Sequence, residues 1–418
     1  MAALRVIKSE MPACPDARMT LEAKRFGAMT VTFLLAAVVI ASRRYVQILH
    51  PDVWVEEGTI FLPAFAKSGW SELFTPLYGY LLVPSKMVSF FGLSLSFVHF
   101  PEYATALSLI VQSACVLAVA FAPTQLPAKF LCAMAVVFVP SGTEVFLVPL
   151  YTFWWTTILI FLALLWHPRG GQYFRNALLL IGGLSSPVVV LLAPMFVLRA
   201  AVERTKSEVL TAAIALGLGA TQLTFVLGNE GTGSIISSIS KIDLVLGKYL
   251  GTPLMDVSMI GASVFGLVVA LFLAFGLLLI PKADRFAYLL LGLSLSAAIA
   301  SSIVRVPVEA PHPLLAGPRY FFLPFILLAW MLIWISMRAK LLPSLAAIAL
   351  AAAFLPMGFS NFFGVPQVPK RPWAEQVDDC ANAQSFTFDI QYGLPHIQWK
   401  VTLTGEDCRR LIEQSWLN

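Results

Sequence analysis

Between residues 26 and 359 the chain is a succession of apolar runs separated by short breaks rich in charge, Pro and Gly. Most runs approach the roughly 17 to 25 residues that a helix needs to cross a hydrocarbon core of about 30 Å. They fall at 26–49, 102–122, 128–148, 151–166, 177–186, 187–198, 208–227, 258–280, 286–304, 320–337 and 341–359. The pattern predicts an all-α polytopic membrane protein of about 11 transmembrane helices, with one bundle over 26–360. The two runs flanking Leu184-Ser185-Ser186-Pro187 are too short to cross alone. They read as a broken pair, a re-entrant hairpin or one kinked helix.

Composition agrees: of 418 residues 58% are hydrophobic and 12% charged, and mean hydropathy is +0.81. An average soluble domain has about twice that charge fraction, so a soluble enzyme or nucleic-acid binder is excluded. The formal charge of +5 then bears on topology. With residues 1–25 in the cytoplasm and both short runs crossing, 15 of the 28 Lys and Arg fall in inner loops, as the positive-inside rule prefers. By the same sorting 17 of the 23 acids lie outside, so the polar chemistry is sought there. The run from Phe26 ends at Arg43-Arg44 without a small-residue cleavage site and reads as a retained first helix.

The first outer loop, 50–101, contains His50-Pro51-Asp52-Val53-Trp54-Val55-Glu56-Glu57-Gly58. Three carboxylates so close to a span can hold a general base, a metal ion or an Arg, or else form a solvated acidic loop. A helix here would set Asp52 and Glu56 on one face and turn Glu57 away. Residues 59–66 and 77–98 read as interfacial helices, with a twelfth span over 77–98 as the alternative. The second outer turn offers Glu144, whose carboxylate needs a partner, an acceptor or a metal in so apolar a connection. Trp154 and Trp155 follow, as sugar-stacking or interfacial aromatics. A third loop, 228–256, is Gly- and Ser-rich and reads as a lid. In the fourth, Arg305, His312, Arg319 and Tyr320 precede or open a span, and Arg319 lies outside against the charge bias. Such an arginine calls for an anion, either a phosphate held by its fork or lipid head groups.

The tail, 361–418, is polar enough to form an outer appendage, with short strands at 386–390 and 399–403. Cys380 and Cys408 are its only cysteines and would pair in an oxidising compartment; two free thiols are the alternative. The chain has no Walker loop, no Cys/His zinc spacing, no Gly-x-Ser-x-Gly elbow and no His-Glu-x-x-His.

The order of acidic first loop, interfacial helices, bundle and outer appendage resembles the membrane-embedded GT-C glycosyltransferases. Glu56-Glu57-Gly58, Gly79-Tyr80, Pro140-Ser141-Gly142-Thr143-Glu144-Val145-Phe146, Gly183-Leu184-Ser185-Ser186-Pro187 and Gly317-Pro318-Arg319-Tyr320-Phe321 are similar to elements of its bacterial members. The superfamily's Asp-Asp or Asp-Glu pair is Glu-Glu here. The resemblance implies inverting transfer of a sugar from a polyprenyl-phosphate donor to a glycan, lipid or protein acceptor. It places this chemistry on the periplasmic face of a bacterial inner membrane, with the C-terminus periplasmic. Glu57 or Glu56 would be the base, and Arg319 the phosphate anchor with Arg305, Lys86 and His312 in support. Glu144 and Asp52 would serve acceptor or metal, and Trp154, Trp155 and Tyr320 would stack on the sugar. No cofactor is required, although a divalent cation is compatible with the carboxylates; membrane lipids, and no nucleic acid, are the other partners. An O-antigen polymerase or ligase and a lipid-linked sugar flippase are the alternatives.

Overall fold

A computed structural model describes residues 15–228, 240–315, 317–360, 362–363, 371–390 and 399–417, with side chains from residue 22 onward. Most of residues 1–25 and the middle of the expected lid, 229–239, lie outside the described residues. The fold is a helical bundle with a small α/β appendage.

Among the described residues seven helices are long and apolar enough to cross a membrane: Glu22–Arg43, Phe100–Phe121, Lys206–Leu227, Met259–Leu279, Lys282–Arg305, Arg319–Arg338 and Leu341–Ser360. The first and last of these bury only 11% of their apolar windows, so most of their surface is left without protein cover and suits lipid. Arg319–Arg338 is 72% buried and is the core of the bundle. Beside it, Thr152–Leu164 buries all thirteen of its residues, as a helix that is apolar all round must. The other expected spans are short helices: Lys129–Val137, Gln172–Gly183 and Val188–Glu203.

The break at Ser185-Ser186-Pro187 is a hairpin. Arg175, near the start of Gln172–Gly183, and Arg199, near the end of Val188–Glu203, both bind Glu208, at 2.8 and 3.0 Å. One kinked helix would carry these arginines to opposite ends. The arginines also donate to the carbonyls of Ala163, Leu164 and Trp166, where Thr152–Leu164 ends. Two buried cations thus satisfy both a buried carboxylate and a helix C-terminus. Arg43, the last residue of the first helix, donates to the carbonyls of Val137, Val139 and Ser141 at and beyond the end of Lys129–Val137.

The 77–98 stretch forms no helix of spanning length. It contains a turn at Leu77–Tyr80 and the thirteen-residue helix Val83–Leu95, about 20 Å long. Residues 57–68 form one π turn and a short helix, Leu62–Ser68.

In the appendage, strands β1 (Ser385–Ile390) and β2 (Trp399–Thr404) pair antiparallel with Phe388 opposite Val401. Helices Trp373–Asn382 and Gly405–Gln414 flank them, joined by the Cys380–Cys408 disulfide. The appendage packs on the first loop: Trp373 Nε1 donates to the Phe97 carbonyl at 2.9 Å, and buried Ile390 abuts Gly58. A Cβ at residue 58 would lie 2.4 Å from Ile390 Cδ1. Gly58→Ala is therefore expected to destabilise the fold by about 1–3 kcal/mol through overpacking. Thermal unfolding in detergent checks this, and Ile390→Ala in the same chain should recover most of the loss.

Candidate functional site

Six chain segments meet at the Ser186 end of the bundle around a cavity of about 420 Å³. Its wall includes Glu56, Tyr78, Tyr80, Tyr151, Trp154, Ser186, Arg305, Arg319 and Tyr320. Three helices point their N-termini at it: Thr152–Leu164, Val188–Glu203 and Arg319–Arg338. The positive dipole ends of these helices favour an anion, although most of their first-turn N–H groups already donate to nearby carbonyls or to Ser186. Arg305 closes the helix Arg285–Arg305, where a cation complements the negative end.

Tyr78 and Tyr80 are placed by a two-residue turn. Leu77 and Tyr80 exchange both backbone hydrogen bonds, and the central residues Tyr78 and Gly79 have φ of +53° and +79°. This is the type I′ geometry, which glycine adopts freely and tyrosine at a cost of about 1 kcal/mol. Tyr80 lies under the Arg305 guanidinium, 4.3 Å from ring centre to Cζ, and burial pushes its hydroxyl up to about 12. It therefore keeps its proton and can donate to a ligand.

Arg319 is held on two sides. Its Nη1 donates to Glu144 Oε1 and to the Tyr151 hydroxyl, 3.0 Å away, while Tyr151 donates to the same carboxylate oxygen at 3.1 Å. The guanidinium also lies within 5.4 Å of the Tyr151 and Tyr320 ring centres. Glu144 is thus the anion that the outward arginine needs, and the segments containing them are locked together. The Gly142 N–H donates to the Pro313 carbonyl at 2.9 Å, and a Cβ on Gly142 would meet Pro318. Glu144 Oε2 is buried and makes no hydrogen bond among the described residues, and Glu144 stands behind Arg319 and Tyr151 rather than on the cavity wall.

The two adjacent glutamates have different surroundings. Glu56 is on the cavity wall, where burial raises its carboxyl above the usual range and nearby Arg319 opposes the rise. Glu57 is 1% exposed and accepts the Leu150 N–H at 2.8 Å, in a polar seam with Arg44, Gln47 and Asp52. Burial pushes Glu57 up to about 8, against the hydrogen bonds it accepts and the Arg44 charge. The expected sharing of a face by Asp52 and Glu56 is corrected, because residues 51–54 are not helical and Asp52 joins the Glu57 seam.

Since Glu57 holds its proton in the fold up to about pH 8 but ionises near 4.5 when unfolded, the folded state binds the extra proton between those values. Stability should fall through this window as pH rises. Glu57→Gln keeps an oxygen for the Leu150 N–H and removes that loss. Melting of both chains at about pH 5 and about pH 9 checks it, with the variant gaining on the parent only at the higher value.

Three expected ligand contacts are turned elsewhere. Lys86 is 4% exposed and its ammonium donates to the carbonyls of Glu72 and Thr75, each at 2.6 Å, tying the loop rather than a phosphate. His312 faces Asp256 at 3.5 Å and accepts the Leu314 N–H, away from the cavity wall. Trp155 is fully buried, donates to the Val145 carbonyl at 2.8 Å and packs on Phe146 and Phe322. Trp154 and Tyr320 do line the cavity, with ring centres 6.1 Å apart. Helical spacing separates the two tryptophans: Trp154 shares a face with Tyr151, three residues earlier, while Trp155 is rotated into the core. Tyr78 and Tyr151 were not singled out from the sequence, and the Tyr-Gly turn and this three-residue spacing are the signals for them.

Among the described residues no three of His, Cys, Asp and Glu gather as a metal-binding group, and Glu144 is engaged with Arg319. No protein-family model matches this chain, and no match to it was found among the curated proteins.

Proposed function

We infer that the chain is a membrane glycosyltransferase that moves a sugar from a polyprenyl-phosphate donor to an acceptor hydroxyl, with inversion. The observation that carries this reading is a carboxylate, Glu56, and two arginines, Arg305 and Arg319, on the wall of one aromatic-lined cavity. Its volume falls in the range of small-molecule sites, about 300–1,000 Å³. In this reading the acceptor oxygen attacks the anomeric carbon and its proton passes to Glu56. The bond from that carbon to the phosphate oxygen breaks, and its electron pair leaves with the phosphate. Arg319 and Arg305, with three helix N-termini, stabilise the charge that develops there. Trp154 and Tyr320 offer apolar faces to the sugar, and Glu144 holds Arg319 in place from behind the wall. Arg319 and Arg305 supply positive charge on the cavity wall, so the reading does not demand a metal.

The reading includes an eleven-span topology in which the short helices also traverse the bilayer, the N-terminus is cytoplasmic and the cavity opens to the periplasm of a bacterial inner membrane. The hairpin at Ser186 supports it, since Arg175 and Arg199 return to one end. The test is sugar transfer in proteoliposomes supplied with polyprenyl-phosphate sugars and a glycan, lipid or protein acceptor. Product of inverted anomeric configuration is expected. Movement of the intact donor across the bilayer without cleavage would instead identify a flippase.

A further inference from the structure

The first loop and the appendage share an exposed aromatic surface that the cavity does not use. Trp70, Phe74, Met87 and Phe91 of the loop and Trp416 and Leu417 of the appendage are each at least 37% exposed. Three of them adjoin, with ring centres 4.8 Å apart for Trp70 and Phe91 and 6.3 Å for Phe91 and Trp416. The backbone fixes the two appendage residues there. The Trp416 and Leu417 N–H groups donate to the Ser94 and Leu95 carbonyls, each at 2.8 Å. Those carbonyls belong to the last turn of Val83–Leu95, where a helix leaves acceptors unfilled.

The height of this patch follows from the next helix. Phe100–Phe121 begins five residues after Leu95, and its 22 residues rise about 33 Å. That is close to the hydrocarbon thickness of about 30 Å, so a spanning helix of this length places its Phe100 end at the bilayer boundary. The Ser94 and Leu95 carbonyls lie beside that end, and Trp416 and Leu417 with them. Trp and Phe side chains at this depth match the aromatic belt of membrane proteins. Exposed Lys67, three residues before Trp70, offers a positive charge where lipid phosphates would lie, while the Arg410 guanidinium, which donates to the Ala66 carbonyl, is paired with Asp407 at 2.6 Å.

We propose that the Trp70–Phe91–Trp416 surface docks the appendage and the first loop onto the head-group layer of the bilayer that the bundle spans. The appendage is then a brace: its Ile390 abuts Gly58, next to the two glutamates, and its far side rests on lipid. The inference does not depend on the chemistry of the cavity.

The test places the full chain in nanodiscs of phosphatidylcholine, either plain or brominated on one acyl chain near the head group. Emission of Trp416 is read as the difference between the parent and Trp416→Phe, and Trp70→Phe is read in the same way. Bromolipid should reduce each difference signal by about twofold or more, as for an interfacial indole, and aqueous iodide should leave it nearly unchanged. Quenching by iodide without quenching by bromolipid would mean a water-facing patch and overturn the proposal. Protection from both quenchers would mean cover by protein, a second copy included, and would overturn it equally.

Discussion

Glu56→Gln should lower the rate of sugar transfer by about 10² to 10⁴-fold, the usual contribution of a positioned general base. The amide has nearly the same shape but cannot take the acceptor proton, so donor binding should change little and the loss should fall on turnover. The pH profile carries a second mark. Only ionised Glu56 can act as base, and burial raises its carboxyl above the ordinary range. Activity should therefore fall with decreasing pH at a higher pH than for a solvated glutamate. Glu57→Gln is expected to retain most activity, because Glu57 sits in the seam beside Arg44 and not on the cavity wall. Steady-state kinetics of the two variants separate these neighbours.

Arg319→Ala should remove transfer by about 10² to 10³-fold through loss of one charge-stabilising donor. It should also weaken donor binding, and it should cost stability for a separate reason. The Glu144 side chain is only 10% exposed and would lose its cation. Stranding one member of such a pair costs about 3 kcal/mol or more when it is fully buried; Arg319, at 27% exposure, suggests somewhat less. Combining Arg319→Ala with Glu144→Gln should restore the melting temperature without restoring transfer. Recovery of both would make Arg319 a structural group only. Arg319→Lys should rescue the fold more than the rate, since an ammonium cannot fork onto two phosphate oxygens.

How far the sequence reached differs from one element to another, for physical reasons. The apolar helices, the hairpin strands and the Cys380–Cys408 pair follow from composition, periodicity and cysteine position, which are local properties. The convergence of Glu56, Arg305 and Arg319 was expected from their place on one side of the spans, and they do share a wall. The choice between Glu56 and Glu57 was not legible, because it depends on where the chain passes from extended to helical between residues 51 and 57. Lys86 and His312 look like ligand contacts by charge alone, but nearby backbone carbonyls and Asp256 occupy them. The partner of Arg319 is 175 residues away in sequence, and Glu144 was recognised only as a carboxylate in need of one. Helix lengths were overestimated at 128–148, where Arg43 takes the carbonyls that end Lys129–Val137.

The most direct measurement is cleavage of the donor itself. The purified full chain is given a radiolabelled polyprenyl-phosphate sugar and an acceptor, and released polyprenyl phosphate is quantified for the parent, Glu56→Gln and Arg319→Ala. Release by the parent, with loss in both variants while Glu57→Gln stays active, is the expected result. No cleavage by the parent with any acceptor class, or undiminished cleavage in Glu56→Gln, would contradict the assignment of this cavity as the site of sugar transfer.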